Sequence, residues 1–339
     1  MALDVSGGDS APDEIIEGAV LAKKELNEDI VLVGVEKEIK TYLNKHKHSL
    51  SDFIIVDAPE KIEMNESPLI SVRTKKKSSI VVGMEMHKQK EVDAFVSCGN
   101  TGSVVCAATI KLRLIEGVER PGIALMLPTK QGVSLVIDVG ANIDCKAIHL
   151  FHYGIMASVY CELFLNKKTP SVGLLNIGEE ASKGLEVLKK VHKLFTVSPL
   201  NFTGNLEAKE LLSGNCDCIV CDGFVGNIAL KVAEGSAEII AKSFIEAMKK
   251  NFIGKVGLFL SKNNLLEFKR SINYAEYGGA PLLGVDGIVI IGHGRSNSLA
   301  VKNAIKVAVR ELKRDLTKSI SRRINDICQN SRVREIFAS

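Results

Sequence analysis

Residues 94–111, AFVSCGNTGSVVCAATIK, pass from a short apolar run through a glycine-bearing turn into a helical pattern. The run AFVS lacks alternation of polar and apolar residues, which is typical of a strand covered on both faces. The turn GNTGS interrupts the apolar character before the helical stretch begins. These residues therefore predict one strand–turn–helix unit of a mostly parallel α/β sheet flanked by helices.

The same order of features recurs along the chain. Short runs rich in Val and Ile predict buried strands at residues 2–5, 30–35, 53–56, 94–97, 133–139, 171–177, 218–221 and 287–291. Six of these runs end in glycine-bearing turns: SGGDSAP (6–12), GNTGS (99–103), GANIDC (140–145), GEEASKG (178–184), DGFVGN (222–227) and GHGRSN (292–297). Parallel strands open their carboxyl ends on one edge, so the six turns together predict one ligand site there.

The chemistry of these turns indicates an anionic ligand. Glycine lets the backbone approach a ligand closely, and the unpaired N–H groups at the start of each following helix favour an anion. Taken singly, each turn is more often an ordinary chain reversal. The set of six predicts a phosphate or carboxylate site.

Composition excludes several classes of protein. The chain has 339 residues, of which 46% are apolar and 25% charged, a balance that excludes disordered and collagen-like proteins. Its eight dispersed cysteines suit a reducing compartment, and we expect neither a membrane span nor a signal peptide, hence a cytoplasmic protein. Residues 310–339 hold eight Lys or Arg against four acids. This pattern predicts one α/β domain over 1–309 and a basic tail over 310–339. Because the tail holds the whole net charge of +4, the rest of the chain is neutral overall, which disfavours nucleic-acid binding.

A helical hairpin is predicted over residues 227 to about 272. Its first helix, 227–250, places Ile228, Val232 and Phe244 on an apolar face, with Lys231 and Glu234 away from that face. The apolar residues that follow are Phe252, Ile253, Val256, Leu258, Phe259 and Leu260. Flanking lysines fit a tip that dips into an anionic bilayer surface. Packing on the body of the protein or on a partner subunit is an equal alternative.

Motifs of other activities are absent or incomplete. The sequence lacks GxxxxGK[ST] and GxSxG, and GHGRSN matches the dinucleotide fingerprint only in part. In Cys216-x-Cys218-x-x-Cys221, strand alternation places the first two thiols on one face and the third on the other, so no metal site is expected. Cys98 and Cys145 are candidate thiolate nucleophiles, although buried small residues are their more usual role.

Two further short features leave their function open. The basic run at residues 73–77, RTKKK, suits a phosphate, an acidic partner or plain exposure to solvent. The pairs His46/His48 and His149/His152 lack further ligands nearby in the sequence, so solvated or buried structural histidines are expected.

Taken together, the turns resemble those of the bacterial phosphate acyltransferase family of phospholipid synthesis. The matching strings are DVSGGDSAP (4–12), VSCGNTGS (96–103), DVGANIDCK (138–146), GLLNIGEEASKG (173–184), NFTGNLEAKELLSG (201–214), CDGFVGNIALK (221–231), and NYAEYGGAPLLGVDG through IIGHGRSN (273–297). A departure is Arg295, which stands where the family usually has a small residue. Seven strings in the family's order cover most of the chain.

The resemblance implies a fold, an activity and partners. The implied fold is like that of phosphotransacetylases and isopropylmalate dehydrogenases, a homodimer with a projecting helical hairpin. The implied reaction converts acyl-[acyl carrier protein] and inorganic phosphate, reversibly, into acyl phosphate and free carrier, without a cofactor or metal. The product passes to a membrane glycerol-3-phosphate acyltransferase, and peripheral membrane contact is implied as well.

The resemblance also implies roles for individual residues. By match to GEExxKG, Lys183 supplies an ammonium group, while Asn227 supplies an amide donor and Asp222 orients one of the two. The remaining residues implied at the substrate site are Asn100, Thr101, Gly102, Asp138, Asn142, Gly178 and His293. Three alternatives stay open: an enzyme acting on coenzyme A thioesters, a dehydrogenase of related fold, and a membrane-bound scaffold without catalysis.

Overall fold

A computed structural model of the protein describes residues 1–261 and 278–338. Within these residues the strands are β1 Ala2–Asp4, β2 Val31–Gly34, β3 Ile54–Asp57, β4 Ala94–Ser97, β5 Gly122–Thr129, β6 Gly132–Ile137, β7 Ser171–Leu175, β8 Asn201–Leu206, β9 Cys218–Val220, β10 Ala280–Leu283 and β11 Ile288–Ile291. The helices are α1 Asp13–Leu26, α2 Glu36–Lys45, α3 Pro68–Thr74, α4 Ser79–Lys88, α5 Thr101–Lys111, α6 Ala147–Phe164, α7 Glu186–Val197, α8 Gly223–Lys249, α9 Phe252–Leu260, α10 Ser298–Leu312, α11 Leu316–Cys328 and α12 Ser331–Ala338. The α/β class predicted from the sequence is confirmed.

The strands form one sheet in the order β3-β2-β1-β4-β11-β10-β5-β6-β9-β7-β8. The strands β3, β2, β1, β4 and β11 are mutually parallel and are called here the first half. The strands β6, β9, β7 and β8 are also mutually parallel and are called the second half. Three antiparallel pairs, β11–β10, β10–β5 and β5–β6, lie between the halves. The halves therefore run in opposite directions, and the prediction that all six turns leave one edge is wrong.

The register of the central strands nevertheless brings the two sets of carboxyl ends together. The relevant pairs are Ile291–Ala280, Leu282–Ile123 and Ala124–Ile137. Counting along these pairs places the last residue of β6 one residue, about 3.4 Å, from the level of the last residue of β11. The two halves thus approach from opposite directions, and their strand ends meet at one level with β10 and β5 between them.

The structure contains strands that the sequence patterns did not predict: β5, β8 and β10. β5 contains Pro128 and β10 contains Pro281. Because proline has no N–H to donate to a neighbouring strand, its presence in a sequence argues against a central strand. In β10, residues 280 and 281 pair with β11 whereas 282 and 283 pair with β5. The halves are therefore joined through β10 and β5 together.

Helices cover both faces of the sheet. In β4, Ala94 and Val96 face the cluster built from α1, α2 and α10, while Phe95 faces the cluster built from α4 and α5. The second half packs on α6, which shares its cluster with Ile320 and Ile324 of α11. Residues 316–328 thus form part of the hydrophobic core and do not extend from it as a tail, because their apolar stripe is fully buried.

The hairpin prediction is partly covered by the described residues. Helix α8 is 27 residues long, and α9 turns back against its end, where the close approach of Gly254 to the Met248 carbonyl leaves no room for a side chain. The continuation of the predicted hairpin to about residue 272 lies outside the described residues. None of the helices in residues 1–261 and 278–338 is long and apolar enough to cross a bilayer.

A buried carboxyl group lies where α10 meets α6. Tyr160 donates a hydrogen bond to Glu311 Oε1 at 3.0 Å, and Arg310 Nη2 donates to the Tyr160 hydroxyl at 3.1 Å. Burial raises the pKa of Glu311 to about 8. Because the folded-state pKa lies above the unfolded value, this carboxyl favours folding at low pH, and the contribution is lost as pH rises through the folded-state pKa.

We therefore expect the unfolding temperature to fall by several degrees between pH 6 and pH 9, and the variant Glu311→Gln to flatten this dependence. Thermal unfolding followed by circular dichroism at several pH values measures both. The matched control is Glu335→Gln, at an exposed position of α12. A pH dependence identical in the Glu311→Gln and parent proteins contradicts the assignment.

Candidate active site

A cavity of about 410 Å³ lies where the ends of the two halves meet. Its wall on the first half comes from the loops after β1, β4 and β11, through Asp9, Thr101 and residues 292–296. Its wall on the second half comes from the loop after β6, through Val139 and Gly140, and from α8, through Asn227, Leu230, Lys231 and Glu234. Loops predicted to share one sheet edge therefore share a cleft between two half-sheets.

Buried aspartate Asp4 organises the wall on the first half. Its carboxylate accepts hydrogen bonds from Ser97 Oγ at 2.6 Å and from the Ser6 N–H at 3.1 Å, which ties the ends of β1 and β4 together. The loops touch so closely that a Cβ on Gly7 would lie 2.6 Å from the Gly99 nitrogen. Burial raises the pKa of Asp4. This carboxyl group is thus a buried support beneath the cleft.

Asp138 organises the second wall in a comparable way. It accepts backbone N–H bonds from Ile123 at 3.0 Å, Gly140 at 3.0 Å, Ala141 at 2.9 Å and Asn142 at 2.7 Å. Burial raises the pKa of Asp138, while these N–H donors act in the opposite direction. The carboxyl group of Asp138 therefore holds the loop after β6 in place. Asp138 itself does not line the cavity.

The first turn of α8 lies directly on the Asp138 loop. The Gly223 N–H donates to the Asn142 carbonyl at 2.8 Å. A Cβ on Gly226 would lie 1.9 Å from the carbonyl oxygen of Asp138, so the contact requires glycine there. This approach places the next residue, Asn227, opposite Gly140 in the cavity wall.

Two of the predicted asparagines hold loops instead of lining the cavity. Asn142 Nδ2 donates to the Pro121 carbonyl at 2.6 Å and to the Tyr153 hydroxyl at 2.8 Å. Asn100 Oδ1 accepts from the Ser103 N–H at 2.9 Å, which caps α5, and its Nδ2 donates to the Met64 carbonyl at 3.0 Å. Both amides contact protein groups that shape the walls.

The polar face of α8 contributes residues that the sequence patterns missed. Asn227, Lys231 and Glu234 follow helical spacing and line the cavity together. The apolar face of α8 is exposed in this chain, with Ile228 47% and Val232 61% accessible; packing on the body of the protein was one of the alternatives that the sequence left open. The helical spacing of residues 227, 231 and 234 could have indicated that they share one face. Lys231 and Glu234 were not predicted because the apolar face of a helix is usually the one that packs on the protein.

The predicted residues of the β7 loop lie beside the cavity and do not line it. Because Leu174 pairs with Val220, the loop after β7 emerges next to the first turn of α8. Lys183 is exposed on this loop, close to Gly178, and its carbonyl accepts from Asn176 Nδ2 at 3.2 Å. The described structure thus places Thr101, Asn227 and His293 together in the cavity wall, with Lys183 on the neighbouring loop.

Of the remaining predicted residues, two lie at helix starts and His293 lies in the loop after β11. Asp222 caps α8 by accepting from the Val225 N–H at 2.9 Å. Gly102, in the first turn of α5, packs against Pro68, since a Cβ there would lie 2.6 Å from the proline Cγ. His293 Nδ1 accepts from the Arg295 N–H at 3.1 Å, and both residues line the cavity.

The cysteines near these loops are not activated. Burial raises the pKa of Cys98 to about 12 and that of Cys145 to about 11, so both remain thiols at neutral pH. Among the three cysteines around β9, Cys218 and Cys221 lie on opposite faces as predicted, but Cys216 does not lie on the predicted face. Cys216 shares a core cluster with Cys221 and not with Cys218, because Cys216 precedes β9 and escapes its alternation.

The fold of this α/β protein is similar to that of solved phosphotransacetylases. A phosphotransacetylase from Streptococcus pyogenes matches with a TM-score of 0.63 at 15% identity, over 92% of this chain and 93% of that one. A branched-chain phosphotransacylase from Enterococcus faecalis V583 matches with a TM-score of 0.57 at 13% identity, over 92% and 99%. At these identities the likeness concerns the fold alone.

Sequence comparison gives the family. The family model described as fatty acid synthesis protein matches residues 1–319. A phosphate acyltransferase from Desulforudis audaxviator is 44% identical over 97% of both chains, and one from Dictyoglomus turgidum is 45% identical over 96% of this chain and 98% of its own. The chain belongs to the fatty acid synthesis protein family, which confirms the resemblance seen in the turns.

Proposed function

We propose that this protein transfers an acyl group from acyl-[acyl carrier protein] to inorganic phosphate in phospholipid synthesis. The observation that carries the proposal is the cleft, where the start of α5 meets Lys231, Arg295 and the amide of Asn227. A helix start and cationic side chains favour an oxyanion. Relatives across the whole chain are named phosphate acyltransferases, which supports phosphate as the acceptor.

The reaction needs positioning more than a strong base. An oxygen of hydrogen phosphate attacks the thioester carbonyl carbon, the C–S bond breaks, and the proton of the phosphate passes to the departing thiolate. The second ionisation of a phosphate monoester lies near pH 6, and inorganic phosphate carries comparable charge at neutral pH. Holding the two reactants together and stabilising the carbonyl oxyanion then account for catalysis.

Asn227 is proposed as the donor to the oxyanion, because its side chain lines the cavity at the start of α8. Thr101 and Gly102 are proposed to bind phosphate through the free N–H groups of the first turn of α5. Asp222 orients the start of α8, and His293 borders the acyl donor. Asn100, Asp138, Asn142 and Gly178 are proposed as supports of the binding loops.

Lys183 is proposed to reach the cleft from the neighbouring loop through its exposed side chain. We expect Lys183→Ala to lower kcat about 10²-fold with an unchanged unfolding temperature, because an ammonium at a developing charge acts in the transition state. The matched control is Lys189→Ala on α7, and steady-state rates with acyl carrier substrate give the comparison. An unchanged kcat rejects the role of Lys183 and makes Lys231, which lines the cavity, the next residue to replace.

The exposed apolar faces of α8 and α9 support two partners. The face of α8 that carries Ile239, at 65% exposure, and Phe244, at 51%, is proposed to pack against a second copy of the chain. The tip residues Phe252, at 79%, and Ile253, at 82%, are proposed to contact the membrane from the cytoplasm. Such contact would deliver acyl phosphate to a membrane glycerol-3-phosphate acyltransferase.

We expect Phe252→Asp/Phe259→Asp to reduce binding to phosphatidylglycerol vesicles at least tenfold, because charged residues do not enter the acyl region. Vesicle flotation measures the bound fraction, and acyl phosphate formation in solution is expected to remain. Leu212→Asp, at an exposed apolar position outside the hairpin, is the control. Equal flotation of the double variant and the parent rules out the tip as the contact.

The overall proposal is tested by incubating the protein with acyl-[acyl carrier protein] and phosphate and trapping the acyl phosphate with hydroxylamine. Because hydroxylamine also reacts slowly with the thioester itself, we expect hydroxamate above this background only when both the protein and phosphate are present. A faster reaction with acyl-coenzyme A identifies a phosphotransacetylase-like donor preference. Absence of any phosphate-dependent increase in hydroxamate with both donors rejects the proposal.

A further inference from the structure

A second and larger concavity, of about 830 Å³, lies outside the cleft between α3, α4 and α5. Its floor is apolar: Val72 and Val81 are buried, Met86 is half-buried, and Ile110 is 49% exposed. A groove of this kind, bordered by helices, suits the apolar face of a further helix. This concavity is called here the α3–α5 groove.

The rim of the α3–α5 groove is positively charged. Arg73, Lys76 and Lys111 line it, against the single carboxylate of Glu85. Lys111 is bound to Glu85 at 2.7 Å, whereas Arg73 and Lys76 are exposed and form no salt bridge within the described residues. Two uncompensated cations beside an apolar floor are complementary to an acidic amphipathic surface.

Not all basic residues of the run 73–77 face the α3–α5 groove. Within the run 73–77, Lys75 is turned away from the groove toward Glu66 and the Lys61 carbonyl, which its ammonium contacts. Arg73 and Lys76 are the members of the run that line the groove. The basic run is therefore divided between a structural contact and a surface open to a partner.

Helix α5 connects the groove to the cleft. Thr101 at its first residue lines the cleft, and Ile110 near its end lines the groove. Nine residues separate them, which is about 14 Å along the helix axis. An extended prosthetic arm on a carrier protein spans such a distance, so a carrier seated on the groove can present its thioester in the cleft.

We propose that the α3–α5 groove is the docking surface for the acyl carrier protein, which binds through an acidic helix with its apolar side on Ile110 and Met86. This inference rests on the proposed acyl transfer from a carrier protein. It assigns a partner to the basic run that the reaction itself leaves unused.

The test is charge reversal at the rim in the full-length protein. We expect Arg73→Glu/Lys76→Glu to raise the KM for acyl-[acyl carrier protein] about tenfold or more, with unchanged kcat and unchanged KM for phosphate. The control Lys24→Glu/Lys37→Glu makes the same change in net charge on α1 and α2, which cover the opposite face of the sheet. An unchanged carrier KM in the rim variant overturns the proposal.

Binding of fluorescently labelled holo-carrier, measured by anisotropy, keeps the inference separate from catalysis. Parent protein that binds the carrier without forming acyl phosphate refutes the proposed function alone, and weaker binding to the rim variant still supports the groove. Equal carrier binding by both proteins overturns the groove assignment. Selective loss of binding to phosphatidylglycerol vesicles, with carrier binding retained, assigns the groove to lipid and also overturns it.

Discussion

Replacing Asn227 by alanine is expected to lower kcat/KM about 10²–10³-fold, the effect of removing one oxyanion donor from a preorganised site. The side chain lines the cavity at the start of α8 and is exposed there, so its removal leaves no buried void. We therefore expect the unfolding temperature to stay the same. Asn227→Asp should be at least as damaging, because an added carboxylate repels phosphate.

The measurement is the initial rate of acyl phosphate formation over a range of phosphate concentrations. Lys242→Ala is the control, since this residue is exposed on the same helix about 22 Å further along the axis. We expect the control to match the parent. A loss of less than threefold in Asn227→Ala removes the amide from the mechanism.

Replacing Gly226 by alanine is expected to impair both stability and activity. The added Cβ would lie 1.9 Å from the Asp138 carbonyl oxygen and 2.9 Å from Cys221 Sγ, so α8 must move away from the loop. Overpacking of this kind costs about 1–3 kcal/mol or more. A shift of the helix also displaces Asn227, and misplacement by about 1 Å can cost about 10²-fold in rate.

Gly235 provides a matched control on the same helix. A Cβ at Gly235 meets no atom within 4 Å, so Gly235→Ala should stabilise α8 by up to about 1 kcal/mol through helix propensity. Urea unfolding of both variants gives the two free energies, and the transfer assay gives the two rates. Equal losses in the free energy of unfolding of both variants would contradict the prediction that the close contact of Gly226 with Asp138 requires glycine.

Local pattern was sufficient for the strand–turn–helix units. The run at 94–97 is β4, and the glycine turn after it leads into α5 at Thr101. Such units can be predicted because the apolar run of a strand and the capping residue of the following helix lie close together in the sequence. The prolines in β5 and β10 argued against strands at these positions. The sequence therefore did not predict that the two half-sheets run in opposite directions.

The site was predictable in part for a related reason. Asn227, Thr101 and His293 stand in turns that the sequence marks, and they line the cavity. Lys231 and Glu234 were missed because helical periodicity shows that a helix has two faces and does not show which one meets the protein. In α8 the polar face meets the cleft, and the apolar face is exposed.

The amino-acid sequence by itself determined the α/β class, the family and the glycine-bearing turns, because each depends on residues close together along the chain. The tertiary structure alone decided that the two half-sheets oppose each other, that their ends meet across β10 and β5, and which face of α8 lines the cleft. β5–β6 and β10–β11 are hairpins of neighbouring strands, but the junction between the halves is the pairing of β10 with β5, which lie far apart in sequence. Such pairing is set by the packing of the whole sheet, which no local pattern records.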